Sequence, residues 1–326
     1  MGKICSIRKK ITNFAAQINN NNEKMGKQHI KAHAAIIAAN VIFGLGVPAT
    51  KYLLDDWVTP HVYMASRCIG AALLFWAVAA CLPKEKVAGR DLLVMIFGGL
   101  LGFFISQTLT AWALNYTSPV YFSLIATLTP IATMLMAALF IGERITPMRL
   151  VGVILGIGGA ALMVVLKWKS DAGSNDILGI GLAVLSLLTW AAYLIITRHV
   201  AARYSSVSQM KWMFLASTIA ILPMSWNEFP QTQLYGQPFE AAALGGWAAM
   251  AFIVLFATGI GFFLIPVAMK QLRATTVSVY TNLQPVVASV VAIMAGQDVL
   301  TWDKPVAALM VLGGAWLVTR DEGPQA

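Results

Sequence analysis

Apolar runs of about twenty residues, separated by short polar or charged stretches, organise this chain almost from end to end. About 30 Å of bilayer hydrocarbon at 1.5 Å of rise per helical residue requires roughly 20 residues per crossing. Ten runs meet that need, at residues 32–53, 60–82, 91–114, 119–141, 147–166, 177–197, 207–226, 241–266, 274–295 and 305–319. The expected fold class is therefore all-α integral membrane, with ten transmembrane helices joined by short connections.

Composition agrees: 58% of the residues are hydrophobic and 11% charged, against about 25% charged in soluble proteins, and the mean hydropathy is +0.72. The net charge of +9 changes the picture only through its placement. Lys and Arg gather at the ends of apolar runs instead of interleaving with aromatics on one face, which argues against nucleic acid as a partner. The expected partners are a small-molecule substrate and membrane lipid, for a monomer or homodimer. If the chain starts inside, 18 basic residues fall on the cytoplasmic side and 4 outside, with Arg67 left within a run. Positive charge is held back from translocation, so a multi-pass protein of the cell (inner) membrane with both termini cytoplasmic is expected. Residues 1–31 differ in kind, being basic, polar and Asn-rich, and are expected to form a mostly disordered tail.

A shift of 155 residues superposes the chain on itself: Pro130 falls on Pro285, Ser123 on Ser278, Leu128 on Leu283, Thr146 on Thr301, and Gly158-Gly159-Ala160 on Gly313-Gly314-Ala315. Glu143 falls on Asp298. A weaker echo sets Thr50-Lys51 beside Thr197-Arg198. The chain thus divides into two five-helix repeats, 32–166 and 177–319, with an external linker at 167–176 and a C-terminal tail at 320–326. Because five is odd, the second repeat enters the membrane inverted, which gives two nearly equivalent states about a midplane site. Pro130 and Pro285 each free the carbonyl four residues earlier, on Ala126 and Thr281. Such helix breaks are tolerated where they face protein or a wet cavity.

The stretches "FGLGVPATKYLL" in the first run and "TSPVYFSLIATLTPIATMLMAALFIGERITPMRLVGVILGIGGAALMVV" across the fourth and fifth resemble the EamA type of the drug/metabolite transporter superfamily. The resemblance covers residues 32–319. It implies ten spans, cytoplasmic termini, and export or exchange of small metabolites through a central cavity. The second half departs from the pattern, with "AGQD" at 295–298 where the family usually has Gly-Glu.

All fourteen carboxylates fall in loops, tails or span ends, so no proton relay is expected at the midplane. Glu143 and Asp298 remain as gate carboxylates. Arg67 is the one charge well inside a span. It reads either as a clamp for a substrate carboxylate or phosphate, or as a structural pair with a helix-end carbonyl or with Asp55 or Asp56. Polar and aromatic positions expected to line the cavity with it are Asn40, Gln107, Trp190, Tyr193, Tyr280, Asn282 and Gln284. Amides are the stronger candidates, because an amide in hydrocarbon needs partners. No metal site or cofactor is expected. HExxH, GxSxG and Cys-His arrangements are absent from the spans, so an enzyme is the weaker reading. The expected function is an alternating-access exporter or exchanger of small metabolites such as amino acids, related zwitterions or organic acids.

Overall fold

The computed structural model describes residues 2–116, 122, 125–126, 128–142, 146–167, 176–237, 243–294 and the positions 305–306, 309–310, 313–314 and 316–317. These are helical or turn residues, with no strand among them. We number the helices α1 (Gly2–Asp56), α2 (Pro60–Ala80), α3 (Gly89–Gly99), α4 (Ser106–Tyr116), α5 (Thr129–Ile141), α6 (Pro147–Lys167), α7 (Asp176–Ile196), α8 (Arg198–Arg203), α9 (Ser206–Ser225), α10 (Gln233–Gly236), α11 (Leu244–Phe252), α12 (Phe262–Met269), α13 (Ala274–Val279) and α14 (Leu283–Met294).

Local chemistry sets the boundaries. Thr59 caps α2 by accepting from the Val62 N–H, and Pro60 follows at the first helical position, where its fixed φ suits the helix and its missing N–H is not needed. Ser205 caps α9 in the same way through Ser208. Gly142, at φ 65°, ends α5 in the left-handed region, a conformation that costs glycine nothing. Two π-helical segments continue the ladders, Leu100–Ile105 between α3 and α4 and Ile253–Gly261 between α11 and α12. They occupy the third span of each half. Each widens the helix and turns the side chains that follow onto a new face.

Five stretches, Gln28–Asp56, Pro60–Ala80, Gly89–Tyr116, Leu178–Ile196 and Leu244–Met269, are long and apolar enough to cross a membrane among the described residues. The expected count of ten is not reached there, for identifiable reasons. The fourth and ninth runs are interrupted before their prolines, the fifth counts only as the shorter apolar helix Pro147–Gly159, α9 carries Ser, Thr, Gln and Lys among its apolar residues, and the tenth run is described only in pieces. Residues 2–31, expected to be mostly disordered, extend α1 back to Gly2. The stretch contains no proline, and once 32–56 are helical, propagation adds a hydrogen bond for each residue fixed.

The bundle is apolar outside and selectively polar inside. Leu73, Phe140, Ile219 and Leu309 are each more than 60% exposed, while Asn40, Arg67, Ser106, Ser217 and Thr258 are buried. That distribution suits a lipid solvent, where polar side chains join helices instead of facing outward. Helix α2 lies along α9, α4 along α7, α1 against α12 and α14, and α5 against α7 and α13.

Candidate functional site

These contacts leave a cavity of about 160 Å³ at the centre of the bundle. Its polar lining comes from Asn40 and Thr50 on α1, Tyr63 and Arg67 on α2, Ser106, Gln107 and Thr110 on α4, Ser186 on α7, and Thr281 and Gln284 before and on α14. Phe43, Leu187, Trp190 and Phe262 supply apolar wall. Arg67 carries the only formal charge among these lining residues.

The guanidinium is fixed from several helices. Arg67 Nε donates to Thr258 Oγ1 at 2.9 Å, and Nη1 approaches Tyr63 Oη at 3.4 Å, Gln107 Oε1 at 3.4 Å and Met64 Sδ at 3.7 Å. The Tyr63 and Phe262 ring centroids lie 5.2 and 5.5 Å from its central carbon, within cation–π range. No carboxylate pairs with it among the described residues. Asp55, one expected partner, binds Lys51 at 2.7 Å instead, because both sit one turn apart on α1.

Other lining groups join the helices around the cavity. Gln284 Nε2 donates to Asn40 Oδ1 at 2.8 Å, tying α14 to α1, and Asn40 Nδ2 donates to the Ile36 carbonyl. The Thr50 and Tyr63 hydroxyls lie 2.7 Å apart. Ser106 and Ser186 each donate to the other's backbone carbonyl at 2.9 Å, and Thr110 meets Ser186 at 2.7 Å.

Of the expected residues, Asn40, Arg67, Gln107, Trp190 and Gln284 line the cavity. Three do not. Tyr193 is buried against Phe103, Trp190 and Gly102, whose added Cβ would stand 2.5 Å from the Tyr193 ring. Tyr280 turns to α1, where its hydroxyl meets His33 Nδ1 at 2.9 Å. Asn282 is buried beside Gly156 of α6. Pro130 lies at the start of α5, and Thr129 Oγ1 donates to the Ala126 carbonyl at 2.7 Å. Pro285 follows a 3-10 turn at Tyr280–Asn282. Ala126, Thr129 and Thr281, at these two breaks, all border the cavity. Glu143 and Asp298 lie outside the described residues.

Beyond the cavity, towards the C-terminal end of α2, stands an aromatic layer. Phe103 stacks on Phe214 at 4.6 Å, Phe214 on Phe75 at 5.8 Å, and Phe262 closes on Phe103 at 4.9 Å. Similar polar clamps hold the two ends of the α2–α9 pair. At one, the α2 cap Thr59 donates to Glu228 Oε2, and His61 Nδ1 lies 2.8 Å from Glu228 Oε1. At the other, the α9 cap Ser205 donates to Glu85 Oε2 at 2.6 Å and through its backbone N–H at 3.2 Å.

The model of the EamA-like transporter family matches residues 30–165 and 177–320. The chain belongs to the EamA-like transporter family. Its match to "Uncharacterized transporter YyaM" of Bacillus subtilis is 22% identical and covers 88% of this chain and 93% of that one. A "Probable terminal-alkyne amino-acid exporter" of Streptantibioticus cattleyicolor is 24% identical over 89% of this chain and 94% of its own. A crystal structure aligns with a TM-score of 0.72 at 19% identity, covering 90% of this chain and 98% of that one, and shows the same fold.

Two residues that hold Arg67 at the edge of the EamA-like cavity, Tyr63 and Thr258, are not singled out by the sequence. Tyr63 was accessible to reasoning, since it stands four residues before Arg67 and so shares its helix face. Thr258 was not. One threonine in an apolar run carries no distinguishing signal, and the π-helical segment decides where it points.

Proposed function

We propose that this membrane transporter works by alternating access, exporting or exchanging small amino-acid-like zwitterions or organic acids through the central cavity. The supporting observation is the pattern of helix contacts. Exchanging the first half for the second turns the α1–α14 contact into α7–α5 and the α4–α7 contact into α12–α1, while α2–α9 and the contact of the fourth run with the ninth map onto themselves. That is the behaviour of a ten-span inverted repeat about an in-plane twofold axis. The cavity lies at the seam, with walls from both halves. Its broken fourth spans carry the two repeated prolines. With the basic flanks cytoplasmic, the aromatic layer lies on the cytoplasmic side of the cavity and both termini face inward. The relative named as an amino-acid exporter supports the substrate range.

Reconstituted protein should mediate saturable counterflow of a radiolabelled amino acid or organic acid into preloaded vesicles. A C-terminal fusion reporter should be active only in the cytoplasm. Folded protein that gives no saturable flux for any member of such a panel would sink the transport reading, and a reporter active outside would overturn the orientation.

A further inference from the structure

Arg67 is a cation held inside an apolar bundle, and none of its described partners is an anion. It is 6% exposed, and its bonded donors end on neutral acceptors, the Thr258 and Tyr63 hydroxyls, the Gln107 amide oxygen and the Met64 sulfur. Its Nη2 meets no acceptor among the described residues, and the residue borders the cavity. A charge in this setting is unfavourable until an opposite charge reaches it. Nothing in the lining supplies one.

The other half of the chain shows that the fold does not need this charge. Thr59 and Ser205 cap the second spans of the two halves, and eight residues beyond each stand Arg67 and Met213. Met213 is fully buried, with its backbone against Gly99 and the end of its apolar side chain near Gly98 of α3. One half thus fills this position with hydrocarbon, while the other places a guanidinium against a cavity.

We propose that Arg67 is the anion subsite of the cavity, and that the solute presents one carboxylate to it. This rests on the reading of the cavity as the transport site. The planar fork matches a carboxylate in a way that a point charge does not. Thr258 and Gln107 hold the fork in position, and Trp190, Phe43 and Phe262 face the apolar body of the solute. No carboxylate stands among the described lining residues to receive an ammonium ion. Monocarboxylates and neutral amino acids therefore fit, and solutes whose only charge is positive do not.

The test uses full-length protein in lipid nanodiscs and four probes on one carbon skeleton: 4-methylpentanoate, leucine, 4-methylpentanamide and 3-methylbutylamine, with inorganic phosphate as a fifth. Phenylglyoxal modifies accessible guanidinium groups, and peptide mass spectrometry reads the adduct at Arg67 alone. The carboxylate and leucine should slow labelling of Arg67, with a half-protection concentration roughly tenfold or more below that of the amide or the amine. Protection by phosphate but not by the carboxylates would replace the carboxylate with a phosphate ester as the solute. Equal labelling in every arm, or no labelling of Arg67 under any condition, would overturn the proposal. In a second arm, Arg67→Met should keep the melting temperature of the unliganded protein and lose the stabilisation that 4-methylpentanoate gives the wild type. Should that variant not fold, the labelling of the wild type still decides. Protection without vesicle counterflow leaves the subsite standing and rejects transport. Counterflow of leucine with no protection at Arg67 does the reverse.

Discussion

Replacing Ser205 with alanine removes one oxygen that performs two tasks. The Ser205 hydroxyl accepts from the Ser208 N–H at 3.2 Å, which caps α9, and donates to Glu85 Oε2 at 2.6 Å, which ties the loop before α3 to the start of α9. Loss of a Ser cap costs about 1 kcal/mol, and loss of a hydrogen bond to a charged group about 1.5–3 kcal/mol. Glu85 is partly exposed and keeps the Ser205 backbone N–H, so the second figure belongs at its low end. The sum is about 2.5 kcal/mol, or about 4 °C in apparent melting temperature for a chain of this length. Purified protein in detergent, followed by intrinsic fluorescence on heating, reports it. The pH dependence supplies a second reading. Partial burial pushes the Glu85 carboxyl upward, but hydrogen bonds from Ser205 and Ser208 and the charge of Lys270 outweigh it, leaving it below its ordinary value of 4.5. A carboxyl lowered in the folded state contributes stability that is present above the ordinary value and is lost as pH falls through the folded one. Wild type should therefore lose stability on acidification from about pH 4.5, and Glu85→Gln should lose less of it. If Ser205→Ala melts with the wild type at neutral pH, the clamp does not hold these segments together.

Two further sets of substitutions probe packing and a polar contact between helices. Gly102→Ala should destabilise by about 1–3 kcal/mol through overpacking, since the new methyl would stand 2.5 Å from the Tyr193 ring. Gly181→Ala in α7, which meets nothing within 4 Å, should instead be neutral or gain up to about 1 kcal/mol from helix propensity. Equal melting temperatures for the pair would contradict the packing described. Trp112 Nε1 donates to His61 Nε2 at 3.2 Å, which places the ring proton of neutral His61 on Nδ1, toward Glu228. His61→Leu removes this acceptor, so the Trp112 component of fluorescence, taken as the difference made by Trp112→Phe, should shift in that variant. An unchanged component would contradict the contact.

The elements were more legible than the faces they present. Spans announce themselves by length, and Thr59-Pro60 or Gly142 mark their ends to within a few residues of the structure. Arg67 could be assigned to the interior because a charge in an apolar span has nowhere else to go, and Asn40, Gln107 and Gln284 followed by the same logic. Tyr193 and Tyr280 could not be assigned. An amphipathic ring is stable against a cavity, a glycine or a distant histidine, and a helix that is apolar all round gives no stripe from which to choose. Asn282 was misjudged for a different reason. Two residues apart on a helix, Asn282 and Gln284 do not share a face, so the cavity could take one of the two amides and not both.

The two halves share a scaffold but divide the chemistry. Each end of the α2–α9 pair is closed by a helix-cap hydroxyl on a glutamate from the opposite half, and both clamps are made in the same structure. These clamps tie the α2–α9 pair at both ends, whereas the interrupted helices, which surrender backbone hydrogen bonds beside the cavity, are the cheaper elements to move; the pair is thus the frame of the proposed movement. Arg67 stands on the frame and not on the interrupted helices. Under the alternating-access proposal, the symmetric part of the sequence is what gives two states of similar energy. The asymmetric part, a guanidinium where the other half has Met213 and an imidazole beside one clamp only, supplies what a solute can recognise. Stability should then respond to changes at either clamp, as at Ser205, while recognition should respond to changes at Arg67 without a matching loss of stability.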